Sequence, residues 1–135
     1  MQFSLATALS LLAVASTAAA KGINCEGSSN CNPSFNSGVW RAEAGELKNL
    51  IDKIPDDKWF NNGQKIACVR WICAFLQNTG GAPGRNIKGL AHFIPDHGCT
   101  ICGSVPYFYP AINDVSQGML TFNWVNTPKC EGLCS

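Results

Sequence analysis

The sequence predicts a small, disulfide-rich α+β sandwich: a mostly antiparallel sheet with two helices packed on one face. Three observations lead there. The hydrophobic pattern switches between strand and helix periods in the order β, α, β, α, β, β. All eight cysteines fall after residue 20, behind an apolar leader, and an exported chain of this kind pairs them as four disulfides. The chain is 135 residues long with a formal net charge of +1, which suits one domain and gives no electrostatic reason to bind nucleic acid or an anionic membrane surface.

Residues 1–20, MQFSLATALSLLAVASTAAA, carry no charged side chain and end in Ala18-x-Ala20 before Lys21. That is the apolar stretch and small-residue cleavage site of a secretory signal peptide. It is short and diluted by Ala, Ser and Thr for a membrane span. The folding domain is therefore expected over residues 21–135. Asn32-Pro33-Ser34 is not a glycosylation acceptor because of the proline.

Gly22 to Cys25 reads as a short strand, and Glu26 to Ser37 as a loop rich in Gly, Ser and Asn. From Gly38 to Ile54 the apolar residues Trp40, Ala44, Leu47, Ile51 and Ile54 follow helical spacing, with charges on the other face. Ser37 is placed to cap this helix, Pro55 to stop it, and Trp40 to pack into the core. Trp59-Phe60 anchors the polar turn that follows. Lys65 to Leu76 is one long strand or two short ones. In an uninterrupted strand Cys68 and Cys73 face opposite sides, so their disulfides leave opposite faces or a bulge intervenes. Asn78 to Gly84 is a loop. Ile87, Leu90, Ala91 and Ile94 mark a second helix with Asn86 as its cap, ended or kinked by Pro95, and Gly98 suits the left-handed position after a helix. Thr100 to Cys102 is read as a strand, Val105 to Gly118 as a long connection, and Met119 to Val125 as a half-buried strand.

The C-x-x-C of Cys99 and Cys102 admits three readings: half of a zinc site with Cys130 and Cys134, a redox dithiol, or two anchors of a disulfide framework. The export signal and the four further cysteines favour the last. Neither His92 nor His97 sits in a catalytic motif, and both read as helix residues. Asp56/Asp57 and Asp96/Asp114 read as turn or cap residues rather than an acid–base pair. No enzyme activity and no cofactor are expected. Candidate contact residues remain: Tyr107, Phe108 and Tyr109, either exposed or tucked against the sheet, and the cations Lys65, Lys88 and Arg85.

Taken together, "GINCEGSSNC" (22–31), "ICAFLQN" (72–78), "HGCTICGS" (97–104) and "NDVSQGMLTFNWVN" (113–126) closely resemble the virally encoded killer toxin family of corn smut and its secreted fungal relatives. The resemblance spans nearly all of residues 22–130. It implies two antiparallel helices across an antiparallel sheet. It also implies the pairing Cys25–Cys99 and Cys31–Cys102, with Cys68–Cys130 and hence Cys73–Cys134, or these last two exchanged to Cys68–Cys134 and Cys73–Cys130. The family's activity is growth arrest of competing cells, attributed to block of calcium channels without a cofactor. A monomer acting on a membrane channel or other cell-surface target of another cell is the expected mode. The lysine implicated there corresponds to Lys65, which lies three residues before Cys68, one more than in the toxin. The alternative is a non-toxic cell-wall or glycan binder using Tyr107, Phe108 and Tyr109.

Overall fold

Residues 21–32 and 41–135 are described by the structure, a computed structural model. The expected leader, the Ser37 cap and Trp40 lie outside the described residues.

The chain forms a five-stranded antiparallel sheet in the order β5-β6-β3-β2-β7. Its strands are β2 (Ala67–Val69), β3 (Ile72–Gln77), β5 (Gly103–Pro106), β6 (Met119–Trp124) and β7 (Gly132–Leu133). A two-stranded ribbon pairs β1 (Trp59–Phe60) with β4 (Ala82–Pro83). The helices are α1 (Glu43–Ile51), α2 (Gly84–Ala91) and the short α3 (Phe93–Asp96). The described part of α1 starts later than the periodicity suggested, at Glu43, without a side-chain cap.

Strand alternation decides which face is buried. Ile72, Ala74 and Leu76 of β3, Leu120 and Phe122 of β6 and Val105 of β5 are wholly buried. They pack with Ala44, Leu47 and Ile51 of α1, Ile87 and Ala91 of α2, and Ile94 of α3. The other face carries Cys73, Phe75 and Gln77 of β3, Thr121 and Asn123 of β6, and Cys68 of β2, and among the described residues no α-helix lies over it. The two ends of the chain take that place.

Lys65 to Leu76 takes the second of its two readings, two short strands: Val69 pairs with Ile72, so Arg70 and Trp71 are the whole turn of a hairpin and no bulge intervenes. Arg70 adopts a left-handed φ of 57°, the backbone that a tight hairpin needs. The second helix begins at Gly84 with Pro83, not Asn86, in the cap position. Pro95 interrupts it as expected, with the break one turn upstream at His92, because the Pro95 ring has no N–H for the Ala91 carbonyl and crowds it. Finally, the strand after C-x-x-C is Gly103–Pro106 rather than Thr100–Cys102, and the expected first strand is a single bridge from Asn24 to Ser104. Gly98, with φ 98°, does occupy the left-handed position after the helix.

Cys25 is bonded to Cys99 and Cys31 to Cys102, closing sequence separations of 74 and 71. Each such loop is worth about 4 kcal/mol by chain entropy. The segment they hold lies close: a Cβ on Gly27 would stand 2.8 Å from Asn123 Oδ1, and one on Gly103 2.8 Å from the Asn24 carbonyl. The Ser28 N–H donates to Asn123 Oδ1 at 2.9 Å, fastening the segment across the outer face.

The remaining pairs depart from the expected Cys68–Cys130 and Cys73–Cys134. The structure bonds Cys68 to Cys73 and Cys130 to Cys134. The two-residue turn sets Cys68 directly opposite Cys73, with Cα atoms 4.1 Å apart. In the tail, left-handed Lys129 and Gly132 bend the chain so that Cys130 and Cys134 meet.

One buried charge links the N-terminal segment, α1 and the hairpin. Glu43 is 1% exposed. Its Oε2 accepts from Arg41 Nε at 2.9 Å and lies 3.6 Å from Arg70 Nε, while its Oε1 has no hydrogen-bond partner. Arg41 also donates to the Asn30 carbonyl.

Removing one partner of a buried pair costs more than removing both. Arg41→Met is expected to cost about 3 kcal/mol in chemical denaturation, and Arg41→Met/Glu43→Leu to recover most of it. Gly84→Ala would put a Cβ 2.0 Å from the Pro55 carbonyl oxygen; it is expected to destabilise by about 2–3 kcal/mol. Gly89→Ala on the same helix meets nothing within 4 Å and should stabilise by up to about 1 kcal/mol.

Candidate functional site

Lys65 stands where the chain enters the hairpin. The Ile66 N–H donates to Ala74 O at 2.9 Å, and the Ile66 carbonyl accepts from Cys134 N–H at 2.9 Å. This residue is thus the seam between the hairpin and the C-terminal tail. Lys65 reaches across that seam and donates its ammonium to the Thr127 carbonyl. Beyond Thr127, Pro128 and left-handed Lys129 turn the tail back toward β2. The result is an open groove of about 300 Å³ whose lining includes Gln64, Lys65, Pro128, Lys129 and Cys130.

Two lysines therefore line one groove, and among the described residues neither has a carboxylate in ion-pair range. Lys65 is half-buried, and its carbonyl partner orients the ammonium without neutralising it. Lys129 is exposed. An anionic group entering here would meet two positive charges without first displacing an acid.

A larger groove, about 440 Å³, lies between α1 and the hairpin tip and includes Glu46, Lys53, Val69 and Arg70. Its arginine is already committed. Arg70 Nη2 is 3.1 Å from Glu46 Oε2, its Nε approaches Glu43, and its backbone N–H donates to the Glu131 carboxylate at 2.9 Å.

Lys88 lies elsewhere, fixed in the scaffold. Its ammonium donates to the Ile54 carbonyl at 2.8 Å and pairs with Asp56, holding α2 against the end of α1. The hydrogen bond from Lys88 to Asp56, together with the ammonium charge, keeps the Asp56 carboxyl below its ordinary value of 3.8. The contribution is complete above 3.8 and is lost as acid protonates the folded carboxylate. Arg85 is exposed at the start of α2.

The aromatic cluster divides. Tyr107 is half-buried and its hydroxyl accepts from Asn86 Nδ2 at 2.9 Å. Tyr109 packs edge-on against Phe93 with ring centres 4.8 Å apart. Only Phe108 of the three is exposed, at 48%, with Ile112 beside it at 40%.

The carboxylates and histidines singled out in the sequence have local partners or lie in exposed turns. His92 Nδ1 pairs with Asp96 at 2.9 Å, one turn on. Asp114 caps a short 3-10 turn through the Ser116 N–H. Asp56 and Asp57 are exposed turn residues.

Sequence reasoning missed Lys129 and the exposed Trp71. Lys129 joins the site because β7 pairs with β2, Ala67 with Leu133 and Cys68 with Gly132, a long-range contact that no local pattern announces. Trp71 is 53% exposed at the hairpin tip, stacked on Trp124 with centroids 6.4 Å apart. The hairpin could have been suspected from the even spacing of Cys68 and Cys73 about Arg70-Trp71.

Comparison with known proteins bears on the whole domain. The Kp4 family model matches residues 8–126. The KP4 killer toxin of the Ustilago maydis P4 virus is 35% identical over 121 aligned residues, covering 78% of this chain and 81% of that toxin. A domain-length family match and a relative aligned over most of both proteins carry one conclusion: the chain belongs to the Kp4 killer toxin family.

Proposed function

We propose that this protein is a secreted killer toxin-like inhibitor of competing or host cells, and that the Lys65–Lys129 groove is its contact with an anionic target. The observation that carries the reading is the pair of lysines sharing one groove without a carboxylate partner. An outward-facing calcium channel fits this chemistry, since cation channels concentrate carboxylates at their mouths. A fixed ammonium seated there would compete with entering calcium.

The mode of action is binding rather than turnover. The killer toxin family and the disulfide framework support export, and the apolar leader at 1–20 supplies the route. Residues 21–135 would be the active, monomeric form, acting without a cofactor. With a net charge of +1, approach to the target depends on where the lysines stand rather than on the overall field. Among the described residues no helix is long and apolar enough to cross a membrane, which fits action from outside the target cell.

Growth inhibition by purified mature protein, with and without added calcium, tests this. Excess calcium should relieve the inhibition. Lys65→Gln should weaken potency about tenfold, the loss of roughly one well-placed charged contact of about 1.4 kcal/mol. Lys65→Arg should retain most of it, and Lys129→Gln should lose a few-fold. Unchanged thermal unfolding in the same variants would separate contact from folding. Inhibition indifferent to Lys65→Gln would remove the groove from the mechanism. Retention on cell-wall glycan that disappears with Phe108→Ala would support the wall-binding alternative instead.

A further inference from the structure

The outer face of β2 and β3 carries an arrangement that the killer activity does not use. Two disulfides, Cys68–Cys73 on the hairpin and Cys130–Cys134 in the tail, are stacked on one another. Cys68 Sγ lies 3.5 Å from Cys130 Sγ and 3.8 Å from Cys134 Sγ. All three sulfurs fall within 4.8 Å of one another. Cys68 and Cys73 are wholly buried and Cys134 is 9% exposed, whereas Cys130 is half-buried and opens onto the groove lined by Lys65 and Lys129.

We propose that these four cysteines form one thiol–disulfide exchange unit, entered at Cys130 by a small thiol or a dithiol catalyst. An incoming thiolate attacks Cys130 Sγ, the accessible sulfur, and forms a mixed disulfide. The Cys130–Cys134 bond breaks and its electron pair leaves on Cys134. The Cys134 thiolate then attacks Cys68 Sγ, already in van der Waals contact with it, and expels Cys73 as thiolate. Cys73 attacks the mixed disulfide at Cys130 and releases the original thiol. Three S–S bonds form and three break, so nothing is oxidised or reduced overall. The two lysines lining the groove favour the thiolate at the point of entry.

The products differ in what they hold. In the local pairing no disulfide ties the tail to the hairpin, and non-covalent contacts hold it: the two-residue β2–β7 ladder, the Cys134 N–H to Ile66 carbonyl bond, the Lys65–Thr127 bond and the Arg70–Glu131 bond. In the crossed pairing, Cys68–Cys134 and Cys73–Cys130, it is bonded to both strands of the hairpin. Exchange therefore decides whether the tail can lift from the sheet. The N-terminal pairs stand apart from this cluster and are outside the unit.

The experiment is a peptide map of the secreted protein before and after incubation with a reduced and oxidised glutathione mixture, with free thiols then alkylated. Trypsin cuts after Arg70 and a glutamate-specific protease after Glu131, so each of the four cysteines leaves on its own peptide. The expected result is conversion between local and crossed pairs, in at least a tenth of the molecules, with Cys25–Cys99 and Cys31–Cys102 unchanged. A glutathione adduct should appear at Cys130 first. Cys130→Ser/Cys134→Ser should keep Cys68–Cys73 and take up no glutathione. A single pairing of the four sulfurs, local or crossed, that persists through the incubation would overturn the proposal. So would exchange spreading equally to the N-terminal pairs. Both readouts are independent of growth inhibition.

Discussion

Among the described residues the five-stranded sheet has α-helices on one face only, and the rest of the described fold answers to that constraint. A sheet this small cannot leave its second face bare, because Phe75, Cys68 and Cys73 point that way. The cover is made from the chain ends: the N-terminal segment over β5 and β6, the tail over β2 and β3. Neither end contains enough apolar surface to hold itself in place. Covalent bonds and polar fastenings substitute for a core, which is why all four disulfides lie at or beneath these two covers.

The charges follow the same division of labour. With ten basic and nine acidic side chains, the molecule projects little net field. Arg41, Arg70 and Lys88 are each engaged by carboxylates that bind one element to the next. These fastenings bring the buried or crowded acids to the cations that can satisfy them, and Glu43 above all needs Arg41. Lys53, Lys58, Lys65, Arg85 and Lys129 have no carboxylate in ion-pair range among the described residues, and of these Lys65 and Lys129 share one groove where the tail cover meets the hairpin. The proposed contact thus rests on two cations that the scaffold does not consume.

Much of this was legible in residues whose spacing is local. Ala44, Leu47, Ile51 and Ile54 marked the helix and are buried. Met119 to Trp124 alternated as a strand and pairs with both β3 and β5. The resemblance to the killer toxins carried the N-terminal pairing, which the cysteine spacing alone left open. The hairpin turn was hidden because Arg and Trp are not turn residues; only tertiary ties, from Arg70 to Glu46 and Glu131 and from Trp71 to Trp124, hold Arg70 in a left-handed backbone. The strand Gly103–Pro106 was hidden because glycine and proline weaken a strand pattern. It survives at the sheet edge, where the Asn24 bridge and the close approach of Cys99 require that glycine. Lys129 could not be found at all, since its place depends on a long-range ladder.

The tail makes site and stability inseparable at one point. Most of the lysine groove is built from residues 128–135, and those residues rest on the sheet through few contacts. Regions with few buried apolar contacts open locally at low free energy. Lys65 then does two things with one ammonium: it closes the seam through the Thr127 carbonyl and keeps its charge for whatever enters the groove. A carboxylate at residue 127 would have closed the seam more strongly and cancelled that charge. A neutral carbonyl, with its weaker hold, preserves the positive potential, so the seam's weakness and the groove's charge have the same physical origin.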